Sequence, residues 1–404
     1  MKNIMKNMTK LPKRIFIKLL KQTRLMEYYK KVHFVRNLNR DLSNKYQKKV
    51  LISYITAPLF SSNDFPTHTN SLEAIQILRY FYLKNYAVDV IHCLDDNNFS
   101  DIDKRDYNVI FGQGIPYNYA CSKNPNATKI LYLTEANPKI SRQKEKERAD
   151  YYFLRHKKRV NFYRANSEKF INDEAIKLST HYILIGNDWT ASTYPEIERD
   201  MFKLIPTGLK NEKFDLEKRD LNAARKNFVW FAGGGAGHKG LDILIDVFKN
   251  FNDKNLFVCG QLSKEEKRTF KFNYKNIFYL GFVNVQSNDF IDLMNKSAFI
   301  IFPSCTEGMA TSVLTCMRHG LIPIITKESG IDLRNDMGYL LKDFKVETIT
   351  EQIETISKQV DIGELLVKQK TVYEYANNTF NLNEFQKRIS RIFDEILENN
   401  EGIK

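Results

Sequence analysis

From residue 50 onward, short apolar runs alternate with stretches of helical pattern, and the alternation is played out twice along the chain. Such a text specifies strands and helices in turn, which close into parallel sheets covered by helices. In the first series VLISYIT (50–56), AVDVIHC (87–93), YNVIFG (107–112), KILYLT (129–134) and HYILIG (181–186) read as strands, and Ser71 to Lys84 as a helix. In the second, FVWFAGGG (228–235), NLFVCG (255–260), NIFYLGFV (276–283), AFIIFPS (298–304) and LIPIIT (321–326) read as strands, with helices over 240–250, over 289–296 and after Gly308. The fold class is α/β, two Rossmann-like doubly wound domains facing a cleft, and ligands of such sheets bind beyond the carboxyl ends of strands. The expected division is a basic segment 1–45, a first domain 46–206, a charged linker 207–226 that begins within KLIPTGL (203–209), a second domain 227–382, and a terminal helix and tail 383–404. The charged stretch 140–180, with QKEKERADYYFLRHKKR, is too polar for a core and reads as surface helices.

A length of 404 residues suits two domains, and 43% apolar content is enough to build both cores. The net charge of +14 is not spread over them: the first 50 residues hold 15 Lys and Arg against only Glu27 and Asp41. The rest carries 47 basic and 46 acidic residues, so the fold itself lacks the basic footprint of a nucleic-acid binder. Projected as a helix, residues 13–26 place Lys13, Arg14, Lys18, Lys21 and Arg24 opposite Ile15, Phe16, Leu19, Leu20 and Met26. A basic amphipathic helix of this kind suits an anionic membrane surface, although its apolar face could instead pack on its own protein. No run reaches the roughly 18 to 20 apolar residues that span a bilayer, and no cleavage site follows Ile15 to Leu20. The expected location is cytoplasmic, peripheral on the inner face of the membrane. Cys93, Cys121, Cys259, Cys305 and Cys316 are widely spaced, form no zinc pattern, and read as core thiols of a reducing compartment.

The strongest local motif is the strand Phe228 to Phe231 running into AGGGAGHKGLDILIDVF. Glycines 233, 234, 235 and 237 remove side chains where the chain leaves the strand, which lets backbone N–H groups approach an anion. His238 and Lys239 follow, just before a helix N-terminus that carries partial positive charge. The residues describe a phosphate or diphosphate seat; a tight turn would need glycine in any case. Gly240 stands where a nucleotide-binding P-loop has Ser or Thr, which excludes that motif.

The second motif is FPSCTEGMATSVLTCMRHGLIPIIT, 302–326. A strand ends at Pro303, a loop presents Ser304, Thr306 and Glu307, and a helix opens near Ala310 with Thr311 and Ser312 in its first turn. The first-turn N–H groups favour a second anion contact, and a carboxylate at Glu307 can accept two sugar hydroxyls. Glu307 could equally be a helix-capping acid.

At these motifs the chain resembles retaining glycosyltransferases of the GT-B fold, family 4 (glycosyl transferases group 1), of the bacterial surface-polysaccharide type. HKGLDILIDVF matches that family's lysine–glycine helix start and PS-x-x-EG its acidic loop; the likeness is clear in the second half of the chain and loose in the first. The resemblance implies an acceptor domain followed by a nucleotide-sugar donor domain. Lys239 would lie on the diphosphate and Glu307 near the donor sugar, with Gly234, Gly235, Gly237, His238, Gly308, Thr311, Ser312 and Thr315 around the donor. The family usually has Arg at the place of Gly234 and a second Glu at the place of Thr315. The implied reaction moves a sugar from a nucleoside-diphosphate sugar to a saccharide or lipid-linked saccharide, with retained configuration and no cofactor beyond the nucleotide sugar as co-substrate.

In the first domain, His68, Thr69 and Asn70 fill the place of a loop that in the family faces donor phosphates and acceptor, though they could simply start the helix at Ser71. Glu135, in TEANP at a strand's carboxyl end, is a further acceptor candidate. Asp101-Ile-Asp103 spells a D-x-D triplet in a polar loop, and no metal is expected there. The competing reading is a degenerate scaffold of the same fold that binds nucleotide sugar or a protein partner without catalysis.

Overall fold

The computed structural model describes residues 34, 35, 38, 48–60, 68–164, 167–198, 200–359 and 361–399. The amphipathic helix read over 13–26, with nearly all of the basic segment 1–45, lies outside these residues, as do 61–67 of the loop before His68.

Two sheets are present. The first is built from β1 (Phe34–Val35), β2 (Lys48–Tyr54), β3 (Tyr86–His92), β4 (Val109–Gly112), β5 (Thr128–Leu133), β6 (His181–Ile185) and β7 (Met201–Leu204), in the order β1-β3-β2-β4-β5-β6-β7. The second is built from β8 (Asn227–Phe231), β9 (Asn255–Cys259), β10 (Ile277–Gly281), β11 (Phe299–Phe302), β12 (Ile322–Thr326) and β13 (Tyr339–Leu341), in the order β10-β9-β8-β11-β12-β13. β1 runs antiparallel to β3, whereas β2 pairs in parallel with β3 and β4, and β8 with β9 and β11. The longer helices are α1 (Thr69–Leu83), α2 (Ile115–Lys123), α3 (Pro138–His156), α4 (Leu241–Phe248), α5 (Asn288–Asn295), α6 (Thr311–Met317), α7 (Val346–Gln359), α8 (Ile362–Thr379) and α9 (Leu382–Asn399). Two parallel-sheet α/β Rossmann-like domains result, the GT-B plan. Among the described residues no helix is long and apolar enough to cross a membrane.

By contacts the chain divides into one compact unit of Met1–Ser62, Leu78–Leu131 and Asn172–Thr180 and another of Asn63–Ile77, Tyr132–Ile171 and His181–Lys404. The second unit holds every side chain of the ion cluster around Glu307.

Central strands of the second sheet are buried on both faces, which is why they read as unbroken apolar runs: all four residues of β11 and all five of β12 are buried. The strand order fixes where a ligand can go. From β8 the chain steps to β9 and β10 on one side, then returns to lay β11, β12 and β13 on the other. The loops leaving β8 and β11 therefore diverge at a topological switch point, the place where open α/β sheets leave a crevice. Those two loops are the glycine-rich turn and the acidic loop of the sequence motifs.

Two readings need correction. β7 falls within the expected first domain but does not read as a strand from its sequence, and its last two residues overlap KLIPTGL; it is short, ends its sheet and exposes Lys203, so it carries too little apolar signal to be recognised. The charged stretch from residue 140 is not merely surface. α3 buries Ser141, Glu145, Arg148 and Tyr152, which recur at helical spacing as one polar stripe turned inward. An inward polar stripe mimics a solvated face when only hydropathy is consulted.

The core reaches the motif directly through Trp230, fully buried on β8, whose indole N–H donates to the Lys239 carbonyl at 3.0 Å. Trp230→Phe keeps an aromatic ring in the core but removes the second ring and leaves that carbonyl without its donor, so stability should fall by about 1–3 kcal/mol. A urea-denaturation midpoint identical to that of the parent protein would show that the bond does not anchor the turn.

Candidate active site

The turn after β8 closes on a left-handed glycine: Gly240 has φ +76 and caps α4, and a Cβ there would come within 2.6 Å of the Pro303 carbonyl oxygen. This packs the start of α4 against the loop after β11. His238 and Lys239 are thereby carried beneath that loop, and the Cys305 amide donates to the His238 carbonyl at 3.0 Å. Lys239 Nζ stands 3.3 Å from Glu307 Oε1, so the two residues on which the sequence reading rested face each other.

The pair belongs to a larger cluster. Ser304 donates its hydroxyl to Glu307 Oε1 at 3.0 Å, and Arg164 Nη1 lies 3.6 Å from Glu307 Oε2 and 3.6 Å from Glu135 Oε2. His238, only 1% exposed, has Nδ1 2.8 Å from Glu145 Oε1 and Nε2 against the Thr306 carbonyl oxygen. Both partners are acceptors, so both ring nitrogens must donate and the ring is an imidazolium. Burial works against that charge, but the Cys305 sulfur 3.6 Å from Nδ1 and the Glu145 carboxylate outweigh it, and the pKa is raised to about 9. Burial likewise opposes ionisation of Glu307, 8% exposed, yet Lys239, Arg164, His238 and the Ser304 hydroxyl prevail and lower its pKa to about 2. Burial holds the Lys239 ammonium below its ordinary value against the pull of Glu307. It raises the Glu135 carboxyl, which Arg164 and His238 offset in part.

Helix α3 braces this arrangement from the side. Arg148, 0% exposed, donates through Nη2 to the Pro303 carbonyl at 2.7 Å and lies over the Phe344 ring, 4.3 Å from its centroid. One turn or two farther on, Arg155 pairs with Asp242 and Asp246, and His156 Nε2 sits 2.8 Å from Asp246. These contacts bind α3 to α4 and so to the glycine turn.

The remaining predicted residues fall into place unequally. Gly233 and Gly234 face open space, with nothing within 4 Å of where a Cβ would stand, as an anion seat requires. Gly237 and Gly235 are glycines for another reason: a Cβ would reach 2.1 Å from the Phe162 ring at the first and 3.3 Å from Arg164 Cγ at the second. Gly308 has its Cβ position closed by the carbonyls of Thr134 and Ile185, at 2.6 and 2.7 Å, which seats the acidic loop on the ends of β5 and β6. Thr311 and Ser312 are half-buried in the first turn of α6, whose N-cap Ala310 makes no side-chain cap; Glu307 is thus not the capping acid. Thr315, 2% exposed, donates to the Thr311 carbonyl at 2.9 Å and accepts from the Leu209 amide at 3.0 Å, which ties α6 to the linker. His68 precedes and Thr69 and Asn70 open α1, the placement of a helix start. Asp101 pairs with Lys104, and Asp103 accepts the Tyr119 hydroxyl. Sequence reasoning misses Glu145, Arg148 and Arg164; the only trace of the first two is their helical spacing with Ser141 and Tyr152.

Residues 213–371 match the family model for glycosyl transferases group 1, which spans the glycine turn, Lys239, Glu307 and α6. This stretch is a glycosyl transferases group 1 domain, and the chain is a glycosyltransferase. Its fold is that of solved glycosyltransferase structures. Sucrose-phosphate synthase from Thermosynechococcus elongatus superposes with a TM-score of 0.60 at 11% identity, covering 87% of this chain and 100% of that one. A glycosyltransferase from Rickettsia africae gives 0.57 at 14% identity over 88% and 100%. Anabaena HepE, solved in complex with UDP and glucose, gives 0.56 at 12% identity over 86% and 99%. No curated protein sequence matches the chain.

The imidazolium makes a testable contribution to stability. A group whose pKa rises on folding stabilises below its unfolded value and loses that contribution as pH climbs through the folded one. For His238 the window runs from 6.5 to about 9. Over it the wild type should lose about 3 kcal/mol more than His238→Gln, read from urea unfolding at pH 6 and pH 9.5. Parallel pH profiles for the two proteins would refute a charged ring.

Proposed function

We propose that this glycosyltransferase moves a sugar from a nucleoside-diphosphate sugar to a hydroxyl of a saccharide or lipid-linked saccharide, with retained anomeric configuration and without metal, in the assembly of a surface polysaccharide or glycoconjugate. The observation that carries this reading is the Lys239–Glu307 pair, 3.3 Å apart at the switch point between β8 and β11. An ammonium and a carboxylate side by side suit a ligand that is anionic at one end and rich in hydroxyls at the other. As the bond from the anomeric carbon to the diphosphate oxygen breaks, negative charge gathers on the diphosphate, and Lys239 with the open amides at Gly233 and Gly234 would stabilise it. Glu307, held ionised, would accept sugar hydroxyls and hold the anomeric carbon within reach of the acceptor hydroxyl. HepE, also solved in complex with UDP-glucose, supplies the analogy for a UDP-linked donor. Family 4, the retaining outcome and the surface-polysaccharide setting rest on the motif resemblance. The peripheral cytoplasmic location rests on the composition of residues 1–45.

The test is a panel of nucleoside-diphosphate sugars, followed by nucleoside-diphosphate release with and without oligosaccharide or lipid-linked acceptors. With the best donor, Lys239→Ala should lower kcat/KM by about 100-fold or more, the size of loss that follows removal of one charge-stabilising contact. Glu307→Gln should raise KM for the donor as well as lower kcat. Wild-type activity in Lys239→Ala would sink the proposed site, and donor binding without turnover in the wild type would favour the non-catalytic scaffold.

A further inference from the structure

We propose that Arg164, carried by the loop after α3 and not by the glycine turn, is the second cation that grips the diphosphate of the donor. The assignment rests on the nucleotide-sugar reading above and adds a binding residue to it. Glu307 divides its two oxygens between two cations, Oε1 at 3.3 Å from Lys239 Nζ and Oε2 at 3.6 Å from Arg164 Nη1. A diphosphate that reaches one is within reach of the other. The guanidinium is also the more accessible of the two, its side chain 37% exposed against 11% for Lys239.

Arg164 has donors to spare. At 3.6 Å from both Glu307 and Glu135 it is in ion-pair range of each, and among the described residues its guanidinium donates no hydrogen bond. A guanidinium has five donors in a planar fork that matches phosphate oxygens two at a time. The turn cannot supply this contact itself, because Gly233 and Gly234, the positions that face open space, have no side chains.

The backbone that carries Arg164 is fixed. Its own amide donates to Glu145 Oε1 at 3.0 Å, the oxygen that also holds the His238 ring. Two residues earlier Phe162 is buried edge-on against Tyr152 and lies where a side chain at Gly237 would be. At Gly235, with φ +80, a Cβ would crowd Arg164 Cγ at 3.3 Å, so that glycine lets the arginine stem cross the turn. A flexible surface arginine would need none of these accommodations.

The full-length protein should be titrated calorimetrically with whichever of UDP, GDP, ADP, CDP or dTDP it binds most tightly, and with the matching monophosphate. Arg164→Ala is expected to weaken the diphosphate about 10-fold or more and the monophosphate by less than about 3-fold, with an unchanged circular dichroism spectrum. Arg164→Gln, which keeps the stem, should show the same phosphate-selective loss, and Arg164→Lys a smaller one. Equal loss of both nucleotides overturns the assignment, as does wild-type affinity for the diphosphate in Arg164→Ala where Lys239→Ala has lost it; either outcome leaves the nucleotide-sugar reading standing. A wild-type protein that binds none of the panel removes that reading, and the role of Arg164 with it.

Discussion

A buried, ionised carboxylate governs the construction of this site. Taking Glu307 out of water costs several kcal/mol unless partners replace the lost hydration, and a single ion pair rarely suffices. The structure answers with Lys239, Arg164, the Ser304 hydroxyl and the imidazolium of His238, the last 3.8 Å from Glu307 Oε1. Each charged partner needs partners in turn. His238 requires Glu145 and the Thr306 carbonyl, and Arg164 requires Glu135. Three carboxylates and three cations thus interlock, and the chain must bring together β5, α3, the loop after it, the β8 turn and the β11 loop before any of them is satisfied.

That demand explains the glycines better than a phosphate seat alone does. If every glycine in AGGGAGHKG existed to admit an anion, all of them would face open space. Only Gly233 and Gly234 do so; Phe162 lies across Gly237, the Arg164 stem across Gly235, and Pro303 and Arg148 against Gly240. The turn is stripped of side chains on one side, where Gly233 and Gly234 face open space, and on the other for the segment 162–164 and the β11 loop. The glycine-rich text therefore records two constraints at once, and no count of glycines could have separated them.

Legibility in the sequence followed the range of the interaction. Strands β2 to β6, β8, β9, β11 and β12 were readable because a parallel strand buried largely on both faces must be apolar along its length, a local property, whereas β10, at the sheet edge, was readable from its apolar composition although Phe278 and Leu280 are exposed. Lys239 and Glu307 were readable for a related reason: each follows a strand directly, and the switch point between adjacent strands forces their loops together. Glu145 and Arg148 were hidden because they turn inward from a helix whose composition matches a solvated one, and their partners lie 93 and 155 residues away in the chain. Arg164 left no local trace at all, since it sits in an irregular loop whose position is fixed by Glu145, Phe162 and glycines far downstream. Thr315 shows the reverse case. Its place in the motif suggested a ligand contact, and the structure gives its hydroxyl to two backbone groups, Thr311 and Leu209.

The same interlocking bears on chemistry. Cations that must turn toward a developing charge lose part of their stabilisation to reorganisation, whereas cations already aimed by the fold do not. Lys239 and Arg164 are both held by Glu307, so in the proposed reaction the group that orients the two cations would also orient the sugar through its hydroxyls. Helix α3 then sets how firmly they are aimed, through Glu145 on His238 and Arg148 on Pro303, one on each of the two loops. A site built only from the two loops would keep Lys239, His238 and Glu307 and would lose Glu135, Glu145, Arg164 and the hold of Arg148 on the Pro303 carbonyl.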